Sequence, residues 1–314
     1  MISRECKKCD KSFSLIGMNK HFQLCFTFFL FAFIAVFSVR ISAQPNDVAN
    51  SRSSLIASQD SEFGGGRDQK VDVQSRGKEA QIDRLLSWLG IAGNIQQIDR
   101  VVDQNSKHLG GDFAKESARE FRHRMQAHDS SQSILNSVRA DIIAVLDADI
   151  DTIDQLLAEP LPVRVRNFDV AMSMEGAQEK FRLYQEALQE KPPAVDRLAL
   201  IERLGSALKT TAFVALIQTE INVTVQILTA KIGKTPELFL PDSLVNSQRD
   251  QRESYLKDVS SDLNLFSYRF LKDSELRAYI EVMEKPNIQL LLNTAYAAIK
   301  RVLIQSREKV LVID

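Results

Sequence analysis

Residues 268–299 read YRFLKDSELRAYIEVMEKPNIQLLLNTAYAAI, and the spacing of their apolar side chains decides the fold class. Leu276, Tyr279, Ile280 and Met283 stand at i, i+3, i+4 and i+7, which places them on one face of a helix. Asp273 can cap that helix, and Pro286 breaks it, because proline has no N–H to donate and its ring clashes with the preceding turn. Ile288, Leu291, Leu292, Ala295, Ile299, Val302 and Leu303 then mark a final helix.

The same period recurs upstream. Ile82, Leu85, Leu86 and Leu89 form one stripe, stopped near Gly90 and Gly93, and Ile95, Ile98 and Val102 form the next. Ser131 can cap a helix whose buried face is Ile134, Leu135, Val138, Ile142, Val145 and Leu146. A short helix restarting at Asp149 or Asp151 ends before Pro160 and Pro162. Phe181, Tyr184 and Leu188 line a helix over 173–190, stopped by Pro192-Pro193, and Leu256, Val259, Leu263 and Phe266 line another. The stretch Thr210–Thr219, TTAFVALIQT, has no charge, is too short to cross a bilayer, and reads as the most buried helix. After Gly111 only Gly176, Gly205 and Gly233 remain, too few for a chain that reverses by tight strand turns. The fold class is therefore all-α, a multi-helix bundle of about nine to eleven helices. Possible seams at 160–170 and 233–249 divide it into subdomains over 78–165 and 166–314. A faint echo between 84–99 and 197–212 falls short of a repeat.

The N-terminus sets the compartment. Phe22 to Val39 is almost wholly apolar, preceded by Lys20 and His21 and followed by Arg40 and Ile41-Ser42-Ala43, the parts of a secretory signal peptide. A start at Met18 gives such a peptide conventional proportions. Two readings stand: cleavage near Ala43, giving a periplasmic or secreted protein, or retention of residues 22–39 as an inner-membrane anchor in contact with lipid. Both place the rest of the chain outside the cytoplasm. Residues 44–77, rich in Ser, Gln, Asp and Gly, read as a disordered polar linker. Gly64-Gly65-Gly66 lacks the Lys-Ser/Thr of a phosphate loop.

The chain of 314 residues has 40 Lys+Arg and 41 Asp+Glu, a net charge of -1. The first 43 residues hold six basic and two acidic side chains, so the remaining body carries -5. Nucleic acid, which demands a basic surplus, is excluded as the main partner. Cys6, Cys9 and Cys25 all precede Ala43, so the body has no thiol or disulfide and is held by its core.

Few motifs carry chemistry. Cys6, Cys9, His21 and Cys25 have the spacing of a small Cys-Cys-His-Cys zinc finger, with Phe13 and Met18 at its apolar positions. Cys25 belongs to the apolar export run, however, so coincidence is the stronger reading. Asp147, Asp149 and Asp151 alternate like the start of a calcium loop. Thr152 stands where the sharp-turn glycine belongs and Ala158 where the bidentate acid belongs, which favours helix capping over metal binding. His108, His123 and His128 include no i, i+4 metal pair, and no H-E-x-x-H or G-x-S-x-G is present. Arg119, Arg122, His123, Arg124 and His128 form a basic cluster interleaved with Glu116 and Glu120, the pattern of a solvated helix face. Trp88 reads as core, with a partner-facing tip as the alternative. No catalytic residue and no cofactor is assigned.

Residues 268–299 also resemble a bacterial exported, all-helical family of unknown function, whose C-terminal helix has the form L-x-x-x-E-L-x-x-Y-I-x-F-x-x-S-P. Leu271, Glu275, Leu276, Tyr279, Ile280 and Pro286 match, while Val282 and Lys285 depart from the pattern. The resemblance implies an exported helical protein and no activity. The leading expectation is a non-catalytic envelope protein acting by binding, in assembly, as a chaperone or as a structural component, with an unknown envelope protein as partner. The alternatives are a carrier of an apolar ligand or lipid enclosed by 195–232 and 288–303, and a carboxylate-dependent envelope hydrolase.

Overall fold

The computed structural model describes residues 68–109, 123, 130–171, 176–232 and 240–312. Among them there are eleven helices and no strand. In chain order these are α1 (Asp68–Trp88), α2 (Ile91–Leu109), α3 (Ser131–Leu146), α4 (Ile150–Leu157), α5 (Pro160–Ala171) and α6 (Ala177–Glu190). They are followed by α7 (Val195–Leu208), α8 (Thr210–Ile232), α9 (Asp242–Ser267), α10 (Asp273–Met283) and α11 (Pro286–Val312). The all-α bundle expected from periodicity is thus the architecture found.

α8 is the centre of the bundle. It packs against α2, α7, α9 and α11, and Phe213, Val214, Ala215, Leu216 and Ile217 are all buried. By length and apolarity Thr210–Lys231 could cross a membrane, yet most of that helix is covered by its neighbours. α11 runs between α3 and α8 and receives α10 at its start. One contiguous apolar cluster extends from Ile82 of α1 to Leu303 of α11, drawing residues from both sides of the 160–170 stretch. α5 occupies that stretch, with Pro160 in its first turn, where a missing N–H costs no helical bond. The helix α1 begins at Asp68, within the segment read as linker.

Among the described residues Gly90, Gly176 and Lys209 take the left-handed conformation, two of them at tight junctions. Gly90 (φ 74°) separates α1 from α2, and Lys209 (φ 53°) separates α7 from α8. Lys209 pays the steric cost of a Cβ there; its backbone N–H donates to Gly205 O at 3.1 Å, closing the end of α7.

The C-terminal pattern has a structural explanation. Leu271, Leu276, Tyr279, Ile280 and Met283 are buried, and Glu275 at the third helical position accepts from the backbone N–H of Lys272 at 2.9 Å. Lys272, not Asp273, stands at the N-cap position, where its side chain makes no capping bond, and Pro286 opens α11. Similarly, Ser130 rather than Ser131 caps α3, its hydroxyl accepting from Ser133 N at 3.3 Å, while Ser131 bonds Asp99. Val145, read as part of the buried face, is 53% exposed. The stripe that faces the core is Ile134, Val138, Ile142 and Leu146 at four-residue steps, and Val145 lies about 100° away from Leu146.

Candidate binding recess

Two of the three acids singled out as calcium ligands, Asp147 and Asp151, are bonded to α1. Lys78 of α1 donates to Asp147, and Gln81 donates to Asp151 at 2.9 Å. Arg84 grips Asp154 with two bonds, at 3.1 and 2.6 Å. Asp149 is the residue before α4, and its side chain makes no capping bond. Among the described residues no group of three or more His, Cys, Asp or Glu is placed to hold a metal ion. Cys6, Cys9, His21 and Cys25 lie outside the described residues, as do residues 22–39, the triple glycine and most of the basic cluster. His123 is exposed, and His108 falls within α2.

The geometry brings other residues together. Between α6, α7 and α9 is a shallow recess of about 470 Å3, open to solvent. Leu188, Pro193, Leu198 and Leu265 form its apolar part. Gln185, Gln189, Arg182, Glu186 and Asp262 supply polar groups around it. Arg182 is pinned along its own helix by Glu179, at 2.6 Å, and by Glu186. The charged bonds to Arg182 hold the Glu179 carboxyl below the usual carboxylate range.

Aromatic rings adjoin the recess at the C-terminal end of α9. Phe266 sits between Phe181 and Tyr184 of α6, with ring centroids 5.5 and 5.3 Å away. The Arg269 guanidinium lies 3.8 Å from the Phe266 ring centre and 4.3 Å from that of Phe270, close enough for cation–π attraction. Burial lowers the pKa of Arg269 and raises that of Tyr184. Phe270, 68% exposed, extends beyond this stack, its ring centroid 6.3 Å from that of Phe168 of α5. Little in the sequence signals the recess, because its residues come from three helices and the connection that holds Pro193, and none belongs to a binding or catalytic motif.

The interior also carries a polar cluster that periodicity does not reveal. Glu220 of α8 accepts from Arg307 of α11 at 3.1 Å, and Arg307 donates to Asp242 of α9 at 2.7 Å. Burial raises the Glu220 pKa, against a smaller lowering by Arg307 and Arg249. The signal available was one acid directly after the uncharged run Thr210–Thr219. Elsewhere the two segments expected to enclose an apolar ligand meet directly: Phe213 of α8 packs edge-on against Tyr296 of α11, ring centroids 5.6 Å apart. No family model matches the chain, and no curated protein or solved structure matches it either.

Proposed function

We propose that the chain is an exported, non-catalytic helical protein that acts by binding a polypeptide segment of a cell-envelope partner in the recess between α6, α7 and α9. The role is assembly, chaperoning or structural support. The observation that carries this reading is the composition of the recess: a four-residue apolar floor rimmed by glutamines and fixed charges, beside an aromatic shelf ending in exposed Phe270. Apolar side chains of a peptide suit the floor, and its main-chain amides suit the Gln185 and Gln189 side chains. Export rests on residues 18–43, and membership of the exported helical family rests on Leu271, Glu275, Leu276, Tyr279, Ile280 and Pro286.

A photo-crosslinking amino acid at Gln189, compared in living cells with the same group at Gln132 on α3, tests the reading. A discrete protein adduct from position 189 and none from 132 supports it. Equal or absent crosslinking at both positions overturns it.

A second reading, a carboxylate-dependent envelope hydrolase, is favoured by the shared placement of Glu186 and Asp262 on the recess. It requires that Glu186→Gln or Asp262→Asn abolish release of soluble fragments from isolated envelope glycan. Absence of such release from the unaltered protein removes it.

A further inference from the structure

α6 is attached to the body differently from every other helix. Each of the other ten described helices is joined to a neighbour by a side-chain hydrogen bond or an ion pair, as Arg84–Asp154 joins α1 to α4 and Arg164–Glu275 joins α5 to α10. Among the described residues no such bond joins α6 to another helix, and Arg182 pairs only with Glu179 and Glu186 of its own helix.

The hold on α6 is therefore apolar, and it is slight. Ala177 is the one buried residue of the helix. Phe181 packs against Val214 and Ala215 of α8 and Leu256 and Leu263 of α9, a cluster separate from the main core. Phe181 and Tyr184 meet Phe266 from above, and Leu188, one turn further on, is half-buried. Both ends of α6 run into exposed chain, at Gly176 with φ 77° and at Lys191-Pro192. Detaching α6 breaks no polar bond between helices, and it bares an apolar groove between α8 and α9.

The resident helix defines what fits that groove. Its contact stripe is Phe181, Tyr184 and Leu188, two aromatic residues three apart with a leucine four further on, the anchor pattern of a helix laid in a groove. α6 also supplies Gln185, Leu188 and Gln189 of the recess, so its movement reshapes the site on which the binding reading rests.

We propose that α6 is a releasable strap, and that its release lets an amphipathic helix of the partner, bearing the same aromatic and leucine stripe, occupy the groove between α8 and α9. A helix of 14 residues freed from its groove is marginal in water, so release exposes its amides. In the full-length chain α6 amides should exchange hydrogen at least a hundredfold faster than those of α7 and α9. A labelled peptide of residues 176–191 should bind the full-length Phe181→Ala/Tyr184→Ala variant at least tenfold more tightly than the unaltered chain, whose own strap competes. The same peptide carrying both alanines should not bind. α6 amides as protected as those of α7 and α9 overturn the proposal, a result read on the unaltered protein even if the variant fails to fold. Equal affinity of the peptide for variant and unaltered chain, or equal binding of the alanine peptide, also overturns it. Failure of the crosslink at position 189 bears on the partner, whereas slow exchange in the isolated protein bears on the strap alone.

Discussion

Glu220 and Arg307 form an ion pair inside the bundle, 3.1 Å apart, with side chains only 2% and 9% exposed. The pair ties the central helix α8 to the last helix α11, and Arg307 extends the link to Asp242 at the start of α9. Removing two charges from water is costly, so such a pair need not add stability over apolar residues of the same size. Removing one partner is different, because a buried charge then loses its compensation.

Arg307→Met is therefore expected to cost about 3–5 kcal/mol near neutral pH, and the double variant Glu220→Met/Arg307→Met to recover most of that loss. Urea unfolding of the unaltered protein, the two single variants and the double variant checks this. Losses that simply add in the double variant would show that the two side chains act independently.

The pH dependence follows from the direction of the Glu220 shift. Its pKa in the folded protein lies above the ordinary glutamate value, chiefly through burial. Its stabilising contribution is complete below the ordinary value and is lost as the pH rises through the raised one. Relative to Glu220→Gln, the unaltered protein should become progressively less stable across that window. A stability difference between the two that stays flat, or that moves the other way, is the contrary outcome.

Glu275 behaves in the opposite sense. Its bonds from the Lys272 backbone and from Arg164 lower its pKa, so its contribution is present above the ordinary glutamate value and fades as the pH falls. Glu275→Gln should narrow the drop in melting temperature on acidification, as followed by circular dichroism.

α3 gives a packing test within one helix. Ile142 is fully buried and Val145 is largely exposed. Ile142→Ala should cost about 2–5 kcal/mol, whereas Val145→Ala should change stability by no more than about 0.5 kcal/mol. Comparable losses at both sites would place Val145 on the core face.

Trp88 is the single tryptophan, so its emission reports on its surroundings. Arg166 covers its ring at 4.4 Å. Arg166→Ala should admit water to the ring and shift the emission to the red, with a loss of about 0.5–1 kcal/mol. Unchanged emission would mean that the stacking is not maintained in solution.

The helices were legible wherever apolar residues kept a helical period. The stripes of α1, α2, α10 and α11 are buried as read, with Val302 only half-buried, because each keeps its apolar residues on one helical face. Val145 misled because it is as apolar as its buried neighbours, and composition does not say where a helix face ends. The cap of α3 is Ser130, one residue before Ser131, since either serine could serve in sequence, while α10 starts with Lys272 at its N-cap position and no side-chain cap at all. Asp147, Asp151 and Asp154 were recognisable as a cluster, but their partners Lys78, Gln81 and Arg84 are about seventy residues away. The recess and the Glu220–Arg307 pair were hidden for the same reason, being assembled from helices distant along the chain.

The claim on which the functional reading rests is that the helical body is delivered across the membrane. A single cysteine placed at exposed Gln189, with Cys6, Cys9 and Cys25 replaced by serine, can be challenged in intact spheroplasts with a membrane-impermeant maleimide. Labelling before lysis places the recess outside the cytoplasm, in agreement with export. Labelling that appears only after the inner membrane is broken would contradict it.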